Sequence, residues 1–542
     1  MKIKKLFLLP ITAMVFSLMA CQSNTGPDLS IKYEELTPIA YNDNYRTFYQ
    51  IFPVSFSDSN NDGIGDLQGI IDKLDYIKSL NYTGIWLCPI HPSPSYHHYD
   101  VEDYFNVDPT LGTMQSFDNL VTACHQKGIK LIIDLVINHS SSTHQWFRSS
   151  YNNMKAGNTE ANTAKLYNWV SCPGSPLDGY AKVNSGDNIA YEARFGGSMP
   201  DFNLQPILDD PENSVIATQF KKIFKTWLVD HDIDGFRLDA ICHYFENNET
   251  KNLQFMTWLN NECRALKPNC YIVGEGNWGS NSVENKNYQN SGIDSVFQFA
   301  GSIKNNGYFM QAVINANAKG IYTALGKNEE NANGGIETPF LGNHDVARFV
   351  GGVQGRKNAS NTKFTLGLLQ IMRGATFTYY GDEIGMASQS STNDGYFRLP
   401  VRWGDSHTCK VSSIGIYNVS ESAIDEDLSY PYADVATQDK DSDSVLNFAR
   451  KANLIRAAFP ELARGSYSLS KEFNNAQVII KRTYNNSSIN VVINADTGAL
   501  KLDYSQYGNK VVAELCPKGS VQLKELESTE ITIPGKSIVI IK

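Results

Sequence analysis

Residues 234–244, DGFRLDAICHY, combine the pattern of a buried strand with two charges. Phe236 and Leu238 project to one face of the predicted strand, and Arg237 and Asp239 project to the other. Charged side chains inside an apolar strand are costly unless they are paired or take part in chemistry. The stretch therefore predicts a strand of a parallel sheet whose charged end belongs to a functional site.

Seven further apolar segments read as strands and alternate with helical patterns such as LQGIIDKLDYIKSL and FKKIFKTWLV. These strand candidates are RTFYQIFPVSF (46–56), YTGIWLCPI (82–90), KLIIDLVINH (130–139), YIVGEG (271–276), DSVFQF (294–299), ETPFLGNHD (337–345) and ATFTYYGDEIGM (375–386). Eight strand–helix repeats predict an α/β fold, a (β/α)8 TIM barrel with insertions.

The chain is too long for the barrel alone. We assign the barrel to residues 41–139 and 205–462. Residues 140–204, between strands three and four, lack a helical period but are rich in aromatic side chains, which predicts an inserted subdomain. Residues 463–542 contain short alternating strands and predict a separate antiparallel β-sandwich.

The N-terminus predicts export. Residues 1–20 have a basic start and an apolar stretch too short to span a bilayer, and they end in LMA before Cys21. This pattern resembles a bacterial lipoprotein signal, in which Cys21 is lipidated and residues 21–40 form a linker. We therefore expect a periplasmic or cell-surface protein that is tethered only by the lipid anchor. An ordinary cleaved signal with an incidental cysteine is the alternative.

The charge balance argues against a nucleic-acid partner. The formal net charge is −10, and no basic cluster follows the first few residues. Of the nine cysteines, eight follow Cys21, and they show no C-x-x-C spacing. Eight cysteines permit many disulfide pairings, so the sequence does not define one. It also gives no indication of the oligomeric state.

Charged and polar side chains recur where the predicted strands end, and such ends meet at one face of a barrel. They are Asp100, His139, Arg237, Asp239, Glu275, His344 and Asp345. Two carboxylates about 5–5.5 Å apart can cleave a glycosidic bond with retention, one as nucleophile and the other as acid and base. Asp239 beside Arg237 suits the nucleophile, which must stay ionised, and Glu275 in an apolar run suits the acid.

Six ordered motifs resemble the α-amylase family, glycoside hydrolase family 13. They are DLVINH (134–139), MPDFN (199–203), GFRLDA (235–240), GE (274–275), FLGNHD (340–345) and TYYGDEIGM (378–386). The resemblance covers roughly residues 45–460. It implies a retaining (β/α)8 barrel with an inserted subdomain after strand three and a C-terminal β-sandwich.

The resemblance also implies roles for individual residues. Asp239 would be the nucleophile, Glu275 the general acid/base and Asp345 the stabiliser of the transition state. Substrate-binding roles fall on Tyr99, Asp100, His139, Arg237 and His344. His98 departs from the family, which usually has Gly at that position.

The loop DSNNDGIGD (58–66) resembles a calcium loop of the family. Its oxygen donors would be Asp58, Asn60, Asp62, the Ile64 carbonyl and Asp66. A solvated acidic turn without metal is the alternative. A second family site would use Asn138 and the His243 backbone.

The resemblance implies an α-glucan as the substrate. Ala240 after the nucleophile favours an α-amylase that cleaves internal α-1,4 bonds of starch and maltodextrins. Cys242 stands where the family commonly has Lys, and MPDFN leans towards neopullulanase and cyclomaltodextrinase, so these or a transglycosylating enzyme are the alternatives. A non-catalytic glucan-binding lipoprotein is the alternative from another class.

Overall fold

The structure is a computed structural model that describes residues 27, 29, 31, 33–278, 283–302, 307–351 and 357–542. The predicted signal segment 1–20 and the predicted lipidation site Cys21 lie outside these residues. Within the described ranges, no helix has the length and apolar character needed to cross a membrane.

The strands, in chain order, have the following bounds: β1 Thr47–Ile51, β2 Gly84–Leu87, β3 Lys130–Leu135, β4 Trp169–Ser171, β5 Tyr180–Ala181, β6 Ile189–Glu192, β7 Gly235–Leu238, β8 Tyr271–Gly274, β9 Ser295–Val296, β10 Thr376–Tyr379, β11 Ser466–Asn474, β12 Gln477–Tyr484, β13 Ser487–Asn494, β14 Leu500–Asp503, β15 Val511–Leu515, β16 Gln522–Leu523, β17 Glu530–Ile533 and β18 Ser537–Ile541.

The α-helices are α1 Leu67–Asp72, α2 Leu74–Ser79, α3 Met114–Gln126, α4 Gln145–Lys155, α5 Gln205–Asp209, α6 Val215–Lys225, α7 Glu249–Leu266, α8 Val283–Tyr288, α9 Tyr308–Ile314, α10 Ala318–Ala332, α11 Ala359–Gln370, α12 Val411–Ile414, α13 Glu426–Ser429, α14 Val435–Lys440, α15 Val445–Ala458 and α16 Pro460–Arg464.

Seven strands form one parallel sheet in the order β10-β1-β2-β3-β7-β8-β9. The strands are short and fully buried, as expected for a sheet covered by helices on its outer face. This curled sheet confirms the predicted (β/α)8 barrel.

The seventh predicted strand, residues 337–345, differs from the prediction. It forms only two isolated parallel bridges, Gln298 with Pro339 and Phe340 with Phe377, instead of a continuous strand. Pro339 has no N–H to donate, so the ladder is interrupted there, although its carbonyl accepts from the Phe377 N–H at 3.1 Å. The bridges still connect the β9 side of the sheet to β10 and close the barrel.

Residues between β3 and β7 contain a small antiparallel sheet of order β4-β6-β5. It is held by aromatic packing, because the Phe147 ring lies 5.6 Å from that of Trp169 and 4.7 Å from that of Tyr191. The backbone of this region is joined to the barrel by a bridge between His139 and Asp201. The insertion is thereby fixed over the end of β3.

The C-terminal region is a two-layer β-structure, with a sheet of order β11-β12-β13-β18-β15 and a second of order β14-β17-β16. On β12 and β18, successive side chains alternate between two cores. Ile479 and Val539 face the second sheet, whereas Ile480 and Ile538 join a cluster with helices α11 and α15 of the barrel. The centre of the larger sheet is therefore buried on both faces, whereas its edge strand β11 is largely exposed.

The described part of the predicted linker is packed against this β-structure. The Leu523 N–H donates to the Pro27 carbonyl at 2.8 Å, and the Tyr33 hydroxyl donates to the Glu514 carbonyl at 2.7 Å. The Ile39 N–H donates to the Ala457 carbonyl on α15. These contacts attach Pro27, Tyr33 and Ile39 to the folded body.

Candidate active site

The opening strand places Arg237 at the centre of a buried charge cluster. The register of β3 and β7 sets Asp134 opposite Arg237. The Arg237 Nη1 donates to Asp134 Oδ1 at 2.5 Å and to Asp239 Oδ1 at 2.7 Å, and its Nη2 donates to Glu275 Oε2 at 2.6 Å. One guanidinium, only 1% exposed, therefore joins Asp134 on β3 to the two carboxylates that directly follow β7 and β8.

Burial opposes the charges of Asp134, Arg237 and Asp239, as the direction of its effect on each pKa shows. It would lower the pKa of Arg237, but Asp134 and Glu275 raise that pKa well above its ordinary value. The pKa of Asp239 is raised by burial, and Glu275 adds to the shift while Arg237 acts against it. The cluster therefore tends to keep a proton, because closely spaced carboxylates do not all ionise.

Asp345 lies in a contrasting environment. Its Oδ2 is 2.8 Å from His344 Nε2, and its Oδ1 accepts from Arg398 Nη2 at 2.9 Å. Although burial opposes ionisation, His344 and Arg398 hold the pKa of Asp345 well below its usual range. Asp345 is thus the carboxylate that stays charged at the cleft.

His344 carries the matching positive charge. Its Nε2 also contacts the Tyr99 hydroxyl at 2.6 Å, and its Nδ1 is 2.9 Å from Gln50 Nε2. Burial would lower the pKa of His344, but Asp345 raises it to about 10. The raised pKa favours the positively charged form of His344.

This shift predicts a pH dependence of stability. Because the pKa of His344 is about 10 in the fold and 6.5 ordinarily, its contribution is complete below about pH 6.5 and is lost as the pH rises through about 10. We expect His344→Gln to flatten the fall in melting temperature between pH 7 and 10, measured by scanning calorimetry. His139→Gln is the control, since burial lowers the pKa of His139 to about 4. Equal slopes in wild type and His344→Gln would contradict the prediction.

His139 and Tyr99 face the same cleft. His139 is neutral at pH 7, and its buried Nε2 has no hydrogen-bond partner among the described residues. The Tyr99 ring is stacked on that of His344, with centroids 5.3 Å apart and planes inclined by 7°. An unpaired imidazole nitrogen beside a flat aromatic ring suits a sugar hydroxyl and the apolar face of a sugar.

Asp100 is placed differently from the other predicted residues. Its carboxylate accepts hydrogen bonds from the Ser93 and Ser95 hydroxyls, and it is absent from the described lining of the cleft. The departure at His98 has a backbone consequence, because this residue adopts φ +60°. Glycine adopts that conformation freely, so His98 keeps the turn at some conformational cost.

The cleft above the charge cluster has a volume of about 870 Å³. Asp239, Glu275 and Asp345 all line it, together with Tyr99 and His139. Arg237 and His344 lie beneath its surface, where they touch the lining carboxylates instead of the space itself.

Comparison with known proteins decides the family. The alpha amylase catalytic-domain profile matches residues 50–465. The chain belongs to the α-amylase family. It is a glycoside hydrolase of family 13.

Relatives within the family carry different activities in their names. The chain is 35% identical over 465 residues to Alpha-amylase 3 of Dictyoglomus thermophilum, covering 82% of this chain and 84% of the relative. It is 32% identical to Probable oligo-1,6-glucosidase 3 of Bacillus subtilis, covering 63% and 65%. The solved structure of Eubacterium rectale Amy13B superposes with a TM-score of 0.83 at 35% identity, covering 94% of this chain and 97% of that one.

Three residues of this family 13 site received no role from the sequence. Asp134 is the first residue of the DLVINH motif, and its Oδ2 accepts from the Trp86 indole at 2.9 Å. Arg398 comes from a loop after β10 and also contacts the Tyr96 hydroxyl at 2.8 Å. Trp278 follows β8, and its indole donates to Glu275 Oε1 at 2.9 Å. Of these three residues, only Asp134 could have been recognised in the sequence, because it is a charge within a predicted buried strand.

The predicted calcium loop forms a tight turn. Asp58 accepts from the N–H groups of Asn61 and Gly63 at 2.7 and 2.8 Å, and Asp66 caps α1 through the Gly69 N–H. Asp62 accepts from the Ile64 N–H at 2.8 Å. No group of three or more His, Cys, Asp or Glu able to hold a metal occurs in the described part of the chain. The oxygen donors are chemically suited to Ca²⁺, but calcium binding stays a prediction.

Asp201 lies beside Asn138, a residue of the predicted second calcium site. Asn138 Nδ2 donates to Asp201 Oδ1 at 3.1 Å, and the Phe202 N–H donates to the Asn138 carbonyl at 2.9 Å. Burial raises the pKa of Asp201 to about 7. Direct hydrogen bonds therefore link the insertion to the end of β3 at this position.

Proposed function

We propose that the protein hydrolyses internal α-1,4-glucosidic bonds of starch and maltodextrins with retention of configuration. The observation that carries this proposal is the shared contact of Asp239 and Glu275 with Arg237 at the floor of a cleft that Asp345 also lines. Two carboxylates held by one guanidinium suit a double displacement, in which both act at the same anomeric centre.

In the first step, a carboxylate oxygen of Asp239 attacks the anomeric carbon. The bond from that carbon to the glycosidic oxygen breaks, and Glu275 gives its proton to the departing oxygen. The mechanism requires this proton on Glu275 and an ionised Asp239, whose Oδ1 accepts a hydrogen bond from Arg237. Asp345, which stays charged, stabilises the positive charge that develops on the sugar.

In the second step, Glu275 removes a proton from water. The water oxygen bonds to the anomeric carbon, and the bond to Asp239 breaks. Glu275 then carries a proton again, and Asp239 is again the ionised carboxylate beside Arg237. The reaction ends with both carboxyl groups in their starting states.

Product analysis tests this function. We expect maltoheptaose to give several shorter maltooligosaccharides whose new reducing ends are initially α, observed by NMR and chromatography. Sucrose and trehalose should stay unchanged. Panose from pullulan would point to neopullulanase chemistry, and lengthened maltooligosaccharides would point to transglycosylation. Absence of any turnover by the wild type would favour a glucan-binding protein.

An α-1,6-acting enzyme is the second candidate. Cys242, where the family commonly has Lys, lines the cleft, and a relative 32% identical is named as an oligo-1,6-glucosidase. Release of glucose from isomaltotriose in the absence of cleavage of maltoheptaose would favour it.

We also propose that the loop 58–66 holds a structural Ca²⁺ through Asp58, Asn60, Asp62, the Ile64 carbonyl and Asp66. Excess EGTA is expected to lower the melting temperature by several degrees, and added Ca²⁺ should restore it, because a ligand bound only to the fold stabilises it. Asp62→Ala should make the melting temperature insensitive to both. An EGTA-insensitive wild type would contradict the proposal.

We further propose that Cys21 carries a lipid anchor in the exported protein. Cys21→Ala is expected to move the protein from the detergent-extracted membrane fraction to the soluble fraction, measured by immunoblotting. Fractionation of the variant with the membranes, as for the wild type, would argue against the anchor.

A further inference from the structure

A tryptophan in the cleft wall contacts the predicted acid/base. Trp278 Nε1 donates to Glu275 Oε1 at 2.9 Å. The other oxygen, Oε2, accepts from Arg237 Nη2 at 2.6 Å and from the Ala240 N–H at 3.3 Å. Each oxygen of Glu275 therefore accepts from an N–H donor, and Trp278 supplies the donor on Oε1.

Arg237 and Trp278, the two side chains that donate to Glu275, differ in how firmly they are held. Arg237 is buried and tied to Asp134 and Asp239 as well, so it cannot leave Glu275 without stranding two other charges. Trp278 lines the cleft and is partly exposed. Oε1 is thus the oxygen whose surroundings can change during turnover.

Donors at a carboxylate favour its ionised form. We propose that Trp278 is a positioning residue for Glu275, which turns Oε1 towards the cleft and stabilises the carboxylate that deprotonates water in the second step. This inference rests on the proposed double displacement. Before the first step, Oε1 takes up the proton that goes to the departing oxygen, and the indole hydrogen bond to it weakens.

The ring of Trp278 makes packing contacts that do not involve its N–H group. It is stacked on Phe299, with centroids 5.4 Å apart and planes inclined by 19°. Phe299 in turn contacts Phe340 edge-on at 5.0 Å, in the segment that closes the barrel. Apolar packing therefore fixes the ring, and the hydrogen bond uses only its edge.

The other groups that act on Glu275 come from several elements. Arg237 on β7 and Asp239 just after it face Glu275 directly, and Tyr244 lies near enough to interact with its charge. Asp134 on β3 and Asp345 share the same cluster through Arg237 and Asp239. Substitution of Trp278 leaves all of these unchanged, so its effect on the pH profile can be isolated.

Two variants separate the N–H from the ring. Trp278→Phe keeps the stacking surface and removes the donor, whereas Trp278→Gln keeps an N–H donor and removes the ring. The measurement is kcat/KM on maltoheptaose from pH 4 to 9, which reports the free enzyme. We expect the basic limb of Trp278→Phe to move up by about half to one pH unit. Trp278→Gln should keep the wild-type limb, with a raised KM.

The outcomes distinguish the inference from the proposed function. A Trp278→Phe limb that superposes on the wild type, or an equal shift in both variants, would overturn the positioning role. If Trp278→Phe does not fold, Trp278→Gln decides, because a shifted limb there contradicts the role and an unshifted limb with raised KM supports it. Absence of wild-type turnover would instead reject the hydrolase proposal itself.

Discussion

Replacement of Asp239 by Asn is expected to lower kcat on maltoheptaose by ~10⁴-fold or more, because the amide cannot form the covalent intermediate. KM should change little, since Tyr99, His139 and Asp345 keep their places in the cleft. Reducing-sugar release by purified wild type and variant measures the effect.

Asp100→Asn is the matched control. Both residues are buried aspartates near the cleft, but Asp100 is held by Ser93 and Ser95 and is not part of the described lining. We expect its kcat to stay within about tenfold of the wild type, since Asp100 is not among the described residues that line the cleft. Comparable losses in both variants would show that disruption of the fold, and not loss of a nucleophile, explains the result.

The Asp239→Asn substitution is also expected to affect stability. Burial raises the pKa of Asp239, so its ionised form weakens the fold as the pH rises, and removal of the charge relieves that cost. Asp239→Asn should therefore melt no lower than the wild type at pH 7. A markedly lower melting temperature would indicate that the Arg237 contact outweighs burial.

Replacement of Arg237 by Met is expected to have the largest effect on the fold. The variant keeps much of the side-chain volume but leaves Asp134, Asp239 and Glu275 buried without their shared cation. Removal of one partner from a buried charge pair costs about 3–5 kcal/mol. We expect a large fall in melting temperature at pH 7 and loss of detectable hydrolysis.

The pH dependence identifies the cause of that loss. Carboxylates without a cation favour protonation in the fold, so the stability of Arg237→Met should recover as the pH falls towards 4. Arg402→Met is the control, because Arg402 pairs with Glu426 at the surface and should contribute less than about 1 kcal/mol. If Arg237→Met were less stable than the wild type by the same amount from pH 4 to 7, lost packing and not unpaired charge would explain the destabilisation.

Much of the fold followed from patterns that are local in the sequence. Short apolar segments alternating with helical periods were sufficient for the barrel, because each strand is buried on both faces and carries its own signal. The seventh predicted strand shows where such local patterns are not sufficient. Its residues have the composition of a strand, but Pro339 breaks the ladder, so the segment closes the barrel through isolated bridges.

The site was predictable where charges interrupt buried strands, as at Arg237 and Asp239. It was not predictable where a side chain arrives from a loop. Arg398 reaches Asp345 from a region whose path is set by packing of the whole fold, and no spacing in the sequence indicates the contact. For Asp100, nothing in the sequence indicated that the Ser93 hydroxyl donates to its carboxylate, and its role in substrate binding stays a prediction.

The larger C-terminal sheet contributes side chains to two hydrophobic cores, and this limits where the enzyme can be cut into separate domains. Ile480 and Ile538 complete a core whose other half lies on α11 and α15. A protein cut after α16 would expose that apolar surface, and the isolated sandwich would expose its counterpart. The change in fold type along the chain therefore does not mark a detachable module. We expect the barrel and the sandwich to unfold as one cooperative unit, so that fusion or exchange of the C-terminal region must preserve the shared core.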